Sequence, residues 1–327
     1  MALFMNQLGT QKMQIDRKSQ PPYAMDHSST ANHGHYLHMF LEDIRLHLIP
    51  SSLNSLDDTR FQVQPSEERI IQTVVTLFSD PSRNVYDIHD NRQRDLSDIM
   101  SDFIVEVGQD IALKGISFWE IGKVHDGDPN SITTSKLFWI AGEVTERRKK
   151  VQQRFLQEKD GARTQHKVIL PTSCVQVFRL PRPFEKLRAH RGRIGVLQEA
   201  SKILPSFVED GLSRLEQDPV FLHSEYSRAQ FRALAKSMRD WGWIGRFWDN
   251  KFTTEYYWFW SKIKFHRSLA MLRESIVRDM NALLRRLEID CEIQLHGLKT
   301  AAEINEILDQ LKSGSISFGD AMDQARS

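Results

Sequence analysis

"DIALKGISFWEIGKVHDG", residues 110–127, sets the fold class. Up to Lys114 the apolar residues recur at spacings of three and four: Leu96, Ile99, Met100, Phe103, Val107 and Ile111. That period predicts an amphipathic helix from about Asp95 to Lys114. Gly115 follows, where the absence of a Cβ makes the left-handed backbone of a helix C′ residue accessible. Beyond it the period changes to two. "ISFWEIGKV" reads as a strand carrying Trp119, "HDGDPNS" with Gly127 as a turn, and "SKLFWIAGEV" (135–144) as one returning strand. Helix, glycine, strand and turn in one unit predict an α+β protein.

The β pattern continues to residue 183. Asp160-Gly161 marks a second turn between extended arms, and "VQVFRLPRP" (175–183) closes the region because Pro181 and Pro183 cannot donate to a ladder. Arg147, Arg148, Lys149 and Lys150 form the densest basic run in the chain. It reads first as a solvated strand edge, since charges there discourage misassembly, and second as a contact for nucleic acid or a protein partner. Before this unit, a helix is predicted from Ser66 to Phe78, with Ser66 as N-cap and Ile70, Ile71, Val74, Val75 and Phe78 on one face. Residues 1 to about 36 are polar and predict a mobile arm. His33, His35 and His38 stand close together there, but no acidic or cysteine partner is patterned with them, which favours a solvated tail over a metal site.

From Phe184 the chain reads as helical. One helix is expected over about 224–241, then "WGWIGRFWDN" as an irregular aromatic turn, then a long helix opened by a Thr254 cap and free of Gly and Pro until past Leu287. The aromatic density of Trp241, Trp243, Trp248, Tyr256, Tyr257, Trp258 and Trp260 points to a core or subunit interface ahead of base stacking. "EIDCEIQLH" alternates as a strand through Ile289, Cys291, Ile293 and Leu295. Thr300 and Glu303 form a T-x-x-E capping box, Ser313-Gly314 closes that helix, and Ser317 caps a last one. The organisation is thus an arm over 1–36, an α/β region over 37–183, a helical region over 184–287, and a strand with two helices over 288–327.

With 327 residues, 40% hydrophobic and 27% charged, the chain has the length and composition of a soluble protein with a sizeable core. A net charge of +1 argues against a tail-type nucleic-acid binder. Cys174 and Cys291 stand far apart, which argues against a disulfide scaffold or zinc site and makes a reducing cytoplasm the expected setting. No apolar run approaches the roughly 20 residues of a membrane span. The nucleophile-elbow, phosphate-loop, dinucleotide and zinc-protease motifs are all missing, so no catalytic residue and no cofactor is assigned. "HDGDP" is too short for an EF-hand loop and reads as a plain turn.

Three stretches together resemble the portal proteins of tailed bacteriophages. "ALKGISFWEI" is similar to their wing segment, where a helix ends in an apolar-x-Gly-x-aromatic pattern before a strand and a Gly turn. "VILPTSCVQVFRLP" (168–181) is similar to a proline-bounded loop that leads into a strand before the central helices. "LRESIVRDMNALL", "IDCEIQLHGL" and "KTAAEINEILDQLKSGSISFGDAMD" (272–323) resemble the family's closing order of long helix, short strand and helix pair. The chain departs from the family in length and in the missing clip segment within 184–254, which suggests a compact or portal-derived member.

The resemblance implies a portal-like fold with a β-rich wing over 37–183 and a stem-like long helix. It implies a homo-oligomeric ring, dodecameric in most of the family, at one capsid vertex. Double-stranded DNA passes through such a ring, and capsid, terminase and head-tail connector proteins attach to it. The implied location is the virion, and the host cytoplasm during assembly. In that frame Gly115, Trp119, Gly127, Thr300, Glu303 and Gly314 have structural roles and Arg147–Lys150 lie outside the DNA path. Near-neutral charge suits a channel through which DNA must slide. The rival expectation is a cytosolic nucleic-acid-binding protein without catalytic activity, using Arg147–Lys150 and the aromatic helix. An enzyme with an unrecognised motif is a third.

Overall fold

The computed structural model describes residues 35–50, 61–79, 95–124, 134–140, 143–159, 162–184, 239–245 and 254–326. Helices and antiparallel sheets are both present, so the class is α+β. In chain order the elements are α1 (His35–Leu48), β1 (Phe61–Gln64), α2 (Glu68–Phe78), α3 (Leu96–Lys114), β2 (Ile116–Val124), β3 (Thr134–Trp139), β4 (Glu143–Arg147), β5 (Lys150–Lys159), β6 (Ala162–Pro171), β7 (Val175–Arg179), α4 (Glu255–Arg286), β8 (Glu292–Leu295), α5 (Ala301–Ser313) and α6 (Phe318–Arg326). The expected arm over 1–36 falls almost wholly outside the described residues.

The α3–β2 junction forms as the pattern requires. The Asp95 carboxylate caps α3 by accepting from the Asp98 N–H at 2.8 Å. At the other end Gly115 has φ 81° and ψ −9° and returns its N–H to the Ile111 carbonyl. Strand β2 leaves at once and becomes the centre of a three-stranded sheet ordered β3-β2-β7, with Trp119 opposite Trp139 on one side and Gln176 on the other. Both faces of β2 are covered. Trp119 packs on Phe103 of α3 at 4.9 Å between rings, while Phe118 joins Phe138, Ile140, Val151, Leu170 and Val175 in a second apolar layer. That layer joins the first sheet to a second, β4-β5-β6.

Four expectations are corrected here. "SKLFWIAGEV" is two strands: β3 pairs with β2, whereas β4 pairs with β5 in the other sheet. The change occurs after Ile140, which is buried between the sheets and so turns the chain from one to the other. The basic run is not a continuous edge but the tip of the β4–β5 hairpin, with Arg147 opposite Lys150 and Arg148 at φ 50°. Helix α2 begins after Glu67, not Ser66. The chain is still extended there beyond the β1 ladder, and the Glu67 carbonyl takes the first helical bond, from Ile71. The strand expected from Ile289 is confined to β8, because Leu287 to Ile289 finish α4: Glu288 is left-handed at φ 58° and the Ile289 N–H reaches back to the Leu284 carbonyl.

Helix α4 is a single run of 32 residues, roughly 48 Å at about 1.5 Å per residue. The Thr254 hydroxyl accepts from the Tyr257 N–H at 3.3 Å at its start. Its C-terminal half buries Leu272, Ile276, Met280, Leu283 and Leu284 in the main core with α1, α2, α3 and β8. Its N-terminal half places Ile263 and Ala270 against Ile304, Ile307, Leu308 and Met322 of α5 and α6. Much of its apolar surface is therefore taken up by two cores of the same chain.

Two elements are absent from the sequence reading. Helix α1 buries Phe40, Ile44 and Leu48 in the main core, and its Leu41 carbonyl accepts from Gln109 of α3 at 2.9 Å. Strand β1 pairs antiparallel with β8, Phe61 opposite Leu295 and Gln64 opposite Glu292. Of the helix expected over 224–241, only 239–241 lies within the described residues, and those three are helical. Among the described residues no helix is long and apolar enough to cross a membrane.

Candidate functional site

Among the described residues, four places carry exposed or chemically distinctive groups. The first is the junction itself. Asp110, buried in the last turns of α3, accepts from the Trp139 indole N–H at 3.1 Å and pairs with Lys114 at 2.7 Å. The Lys114 ammonium also lies 4.7 Å from the Trp139 ring centre, so helix and sheet are tied by one ionic and aromatic cluster beside Gly115. Trp119, 1% exposed, fills the core under this cluster. Gly127 lies outside the described residues.

The second place is the β4–β5 hairpin tip. Arg147, Arg148, Lys149 and Lys150 are all exposed, and the neighbouring Glu146 is engaged by Arg179. The tip is anchored: Thr172 donates its N–H to the Lys149 carbonyl at 3.2 Å, and Arg286 of α4 donates to the Val175 carbonyl at 3.3 Å. Four cations, two on the turn and one on each strand beside it, form a concentrated positive point suited to a phosphate backbone or an acidic protein surface.

The third place is a cleft of about 380 Å³ between α1, residues 242–245, α4 and the C-terminal helices. Asp43, His47, Lys262, His266, Arg273 and Lys299 line it. The two imidazoles meet edge to face at 6.0 Å, and Asp43 accepts from the Trp243 indole at 2.8 Å. Arg273, only 5% exposed, donates to the Leu48 carbonyl at 3.0 Å and the Lys299 carbonyl at 2.6 Å. It thus closes the end of α1 and holds the entry to α5. Three formal cations against one carboxylate give the cleft an anion preference. None of these six residues was legible as a site, because they come from segments far apart with no local spacing between them.

The fourth place is the aromatic start of α4. Trp241 and Trp243 are buried, with Trp241 stacked on Phe184 at 4.5 Å and edge-on to Phe40. Gly242 between them has φ 81° and lies so near α4 that a Cβ would meet the Ser261 carbonyl oxygen at 2.4 Å. These two tryptophans are core residues, as the density of the cluster suggested. Tyr256 and Tyr257 are different: each is 38% exposed. Lys262 lies over Trp258 at 3.5 Å and Lys264 over Trp260 at 5.0 Å, so this end of the helix already receives ammonium groups on its rings. Burial pushes the Lys264 ammonium down from its ordinary pKa. Trp248 lies outside the described residues.

The terminal helices carry the expected caps. Thr300 and Glu303 bond reciprocally, Gly314 is left-handed at φ 73°, and the Ser317 hydroxyl accepts from the Asp320 N–H at 3.2 Å. Bonds from Thr300 hold the Glu303 carboxyl below its ordinary value. Burial, with Asp290 nearby, raises the Cys291 thiol, which keeps it protonated and a poor nucleophile. Among the described residues no group of three or more His, Cys, Asp or Glu is placed to hold a metal. His33 lies outside them, and His35 and His38 fall in the first turn of α1.

No family model matches this chain, and no curated protein matches it in sequence.

Proposed function

We propose that the chain is the subunit of a phage portal-like ring, a structural protein at a capsid vertex through which DNA enters and leaves. One observation carries this reading. A single unbroken α4 joins an α/β region at its C-terminal half to a helix pair at its N-terminal half. A rod carrying an α/β core along Phe265–Leu284 and a helix pair toward its N-terminal half can repeat around an axis, and its role requires no reactive side chain. The helix-glycine-strand unit then serves as the rigid wedge of the wing, with Gly115 setting the angle and the Asp110–Trp139–Lys114 cluster holding it. In this frame the ring is a homo-oligomer, probed first for twelve subunits, with capsid, terminase and connector proteins as its partners. Mass photometry and negative-stain imaging of the purified full-length chain test it: a closed ring is expected, and a monomer at micromolar concentration overturns it.

One observation favours a second reading, a nucleic-acid-binding protein without catalytic activity. The four cations are exposed together at a hairpin tip, where duplex phosphates are within easy reach. Changing Arg147, Arg148, Lys149 and Lys150 to Gln separates the two. On the ring reading, duplex affinity and its salt dependence stay nearly unchanged in fluorescence anisotropy. On the second reading the slope of log K against log salt falls by three units or more, at about 0.9 per lost phosphate contact.

A further inference from the structure

Two described surfaces of opposite charge lie along the same helix, one at its C-terminal end and one toward its N-terminal end. The basic tip belongs to the C-terminal end of α4: Lys149 is bonded to Thr172, and Val175, three residues on, is bonded to Arg286. The other surface belongs to the N-terminal end. There α6 packs on α4, with Phe318 stacked on Phe259 at 5.2 Å and Tyr256 edge-on at 5.9 Å, while α5 enters beside Arg273 and Glu274 and packs on Ile263 and Ala270. Residues 301–326 contain five acidic side chains against two basic ones. Glu306, Asp309, Asp320 and Asp323 are exposed, and Glu255 is exposed beside Tyr256 and Tyr257. Carboxylates next to half-exposed tyrosine rings make a surface that takes guanidinium and ammonium groups by charge and by cation–π contact.

Within one chain the two surfaces are kept apart. The helix between Phe259 and Arg286 is roughly 40 Å long at about 1.5 Å per residue, and it is continuous. Complementary patches held this far apart on one molecule satisfy each other only between molecules, head to tail. Such a contact is heterologous, the kind that closes into rings when the rotation allows. We propose that the Arg147–Lys150 hairpin tip of one copy docks on the acidic, aromatic face formed by α5, α6 and the first turn of α4 in the next copy. This rests on the ring reading and names the contact that closes the ring. It assigns Arg148 and Lys149 as the inserted cations and Glu306 and Asp323 among the residues that receive them.

Charge reversal tests the contact. One variant carries Arg148→Glu and Lys149→Glu; a second carries Glu306→Lys and Asp323→Lys. All four side chains are exposed, and circular dichroism and melting check that each variant folds. Self-association is read by mass photometry and sedimentation of the full chain. Wild type is expected to assemble. Each variant alone, with like charges opposed at every contact, is expected to associate at least about 100-fold more weakly. An equimolar mixture restores assembly, because the negative tip of one variant meets the positive face of the other and the reverse contact is also matched. The chain carrying all four changes restores it as well. Wild-type assembly with both variants assembling equally well overturns the docking while leaving the ring. A wild-type monomer overturns both. If the tip variant assembles normally but loses duplex binding in anisotropy, the tip is a nucleic-acid contact and the docking is overturned.

Discussion

Asn281 and Ile293 are bonded to each other twice. The Asn281 side-chain amide donates to the Ile293 carbonyl at 2.9 Å, and the Ile293 N–H donates to the Asn281 carbonyl oxygen at 2.8 Å. A buried side chain on α4 thus acts as a one-residue strand for β8. It satisfies the backbone groups that Ile293 points away from its partner strand β1. Asn281→Asp replaces the donor with a carboxylate facing a carbonyl. It is expected to cost more than about 2 kcal/mol in chemical denaturation, and Asn281→Ala about as much, since either leaves a buried backbone group unpaired. A loss within a few tenths of a kcal/mol shows that solvent reaches β8.

Arg273 bonds two carbonyls, Leu48 and Lys299, with the two arms of its guanidinium. Arg273→Lys keeps the charge and loses the fork, so a loss of about 1.5–3 kcal/mol is expected. Hydrogen exchange places the effect: amides at the end of α1 and at the start of α5 gain exchange together. Loss confined to one of the two shows that lysine reproduces the other bond.

Two glycines have different reasons to be glycine, and their substitutions separate those reasons. At Gly115 the left-handed backbone is an obstacle, so Gly115→Val costs over about 1 kcal/mol through strain. At Gly242 a Cβ also meets the backbone of Ser261 and Phe265 at 2.4 and 2.5 Å. Gly242→Ala, the smaller side chain, is therefore expected to lower the melting temperature more than Gly115→Val. The reverse order means that residues 239–245 can lift off α4.

Glu303 makes a pH-dependent cap. Its carboxyl is held below the ordinary value of 4.5 by bonds from the Thr300 N–H and hydroxyl. A depressed folded-state pKa means stability present above the unfolded value and lost as pH falls through the folded one. Wild type is expected to lose melting temperature faster than Glu303→Gln below about pH 4.5, and the two curves run parallel above about pH 6. Parallel curves throughout show that Thr300 alone carries the cap.

What the sequence discloses here follows how local each interaction is. Gly115, Thr254, Thr300, Glu303 and Ser317 act on backbone within a few residues of themselves, so their roles can be read from spacing, and the structure bears each of them out. The place where β3 hands over to β4 depends on which face of the sheet receives Ile140, and no period encodes that. Helix α1 carries its signal in Phe40, Ile44 and Leu48, but a histidine-rich, polar neighbourhood masks it. The cleft around His47, His266 and Arg273 is assembled from α1, α4 and the α5 entry, which become neighbours only after folding. Their residue types carry no shared spacing to detect.

The pairing of β1 with β8 bears on the order in which the molecule can be made. Gln64 and Gln294, which bond across this two-stranded sheet at 3.2 Å, are 230 positions apart. At roughly 5–20 residues per second of synthesis, β1 leaves the ribosome some ten to fifty seconds before its partner exists. Through that interval Phe61 and Val63, both buried in the finished protein, have no strand to lie against. Helix α1 likewise waits for Arg273 to close its end. Strand β1 and helix α1 therefore keep apolar surface without its final partners for most of translation, and the nascent chain is expected to be a customer of ribosome-associated chaperones until α4 and β8 emerge.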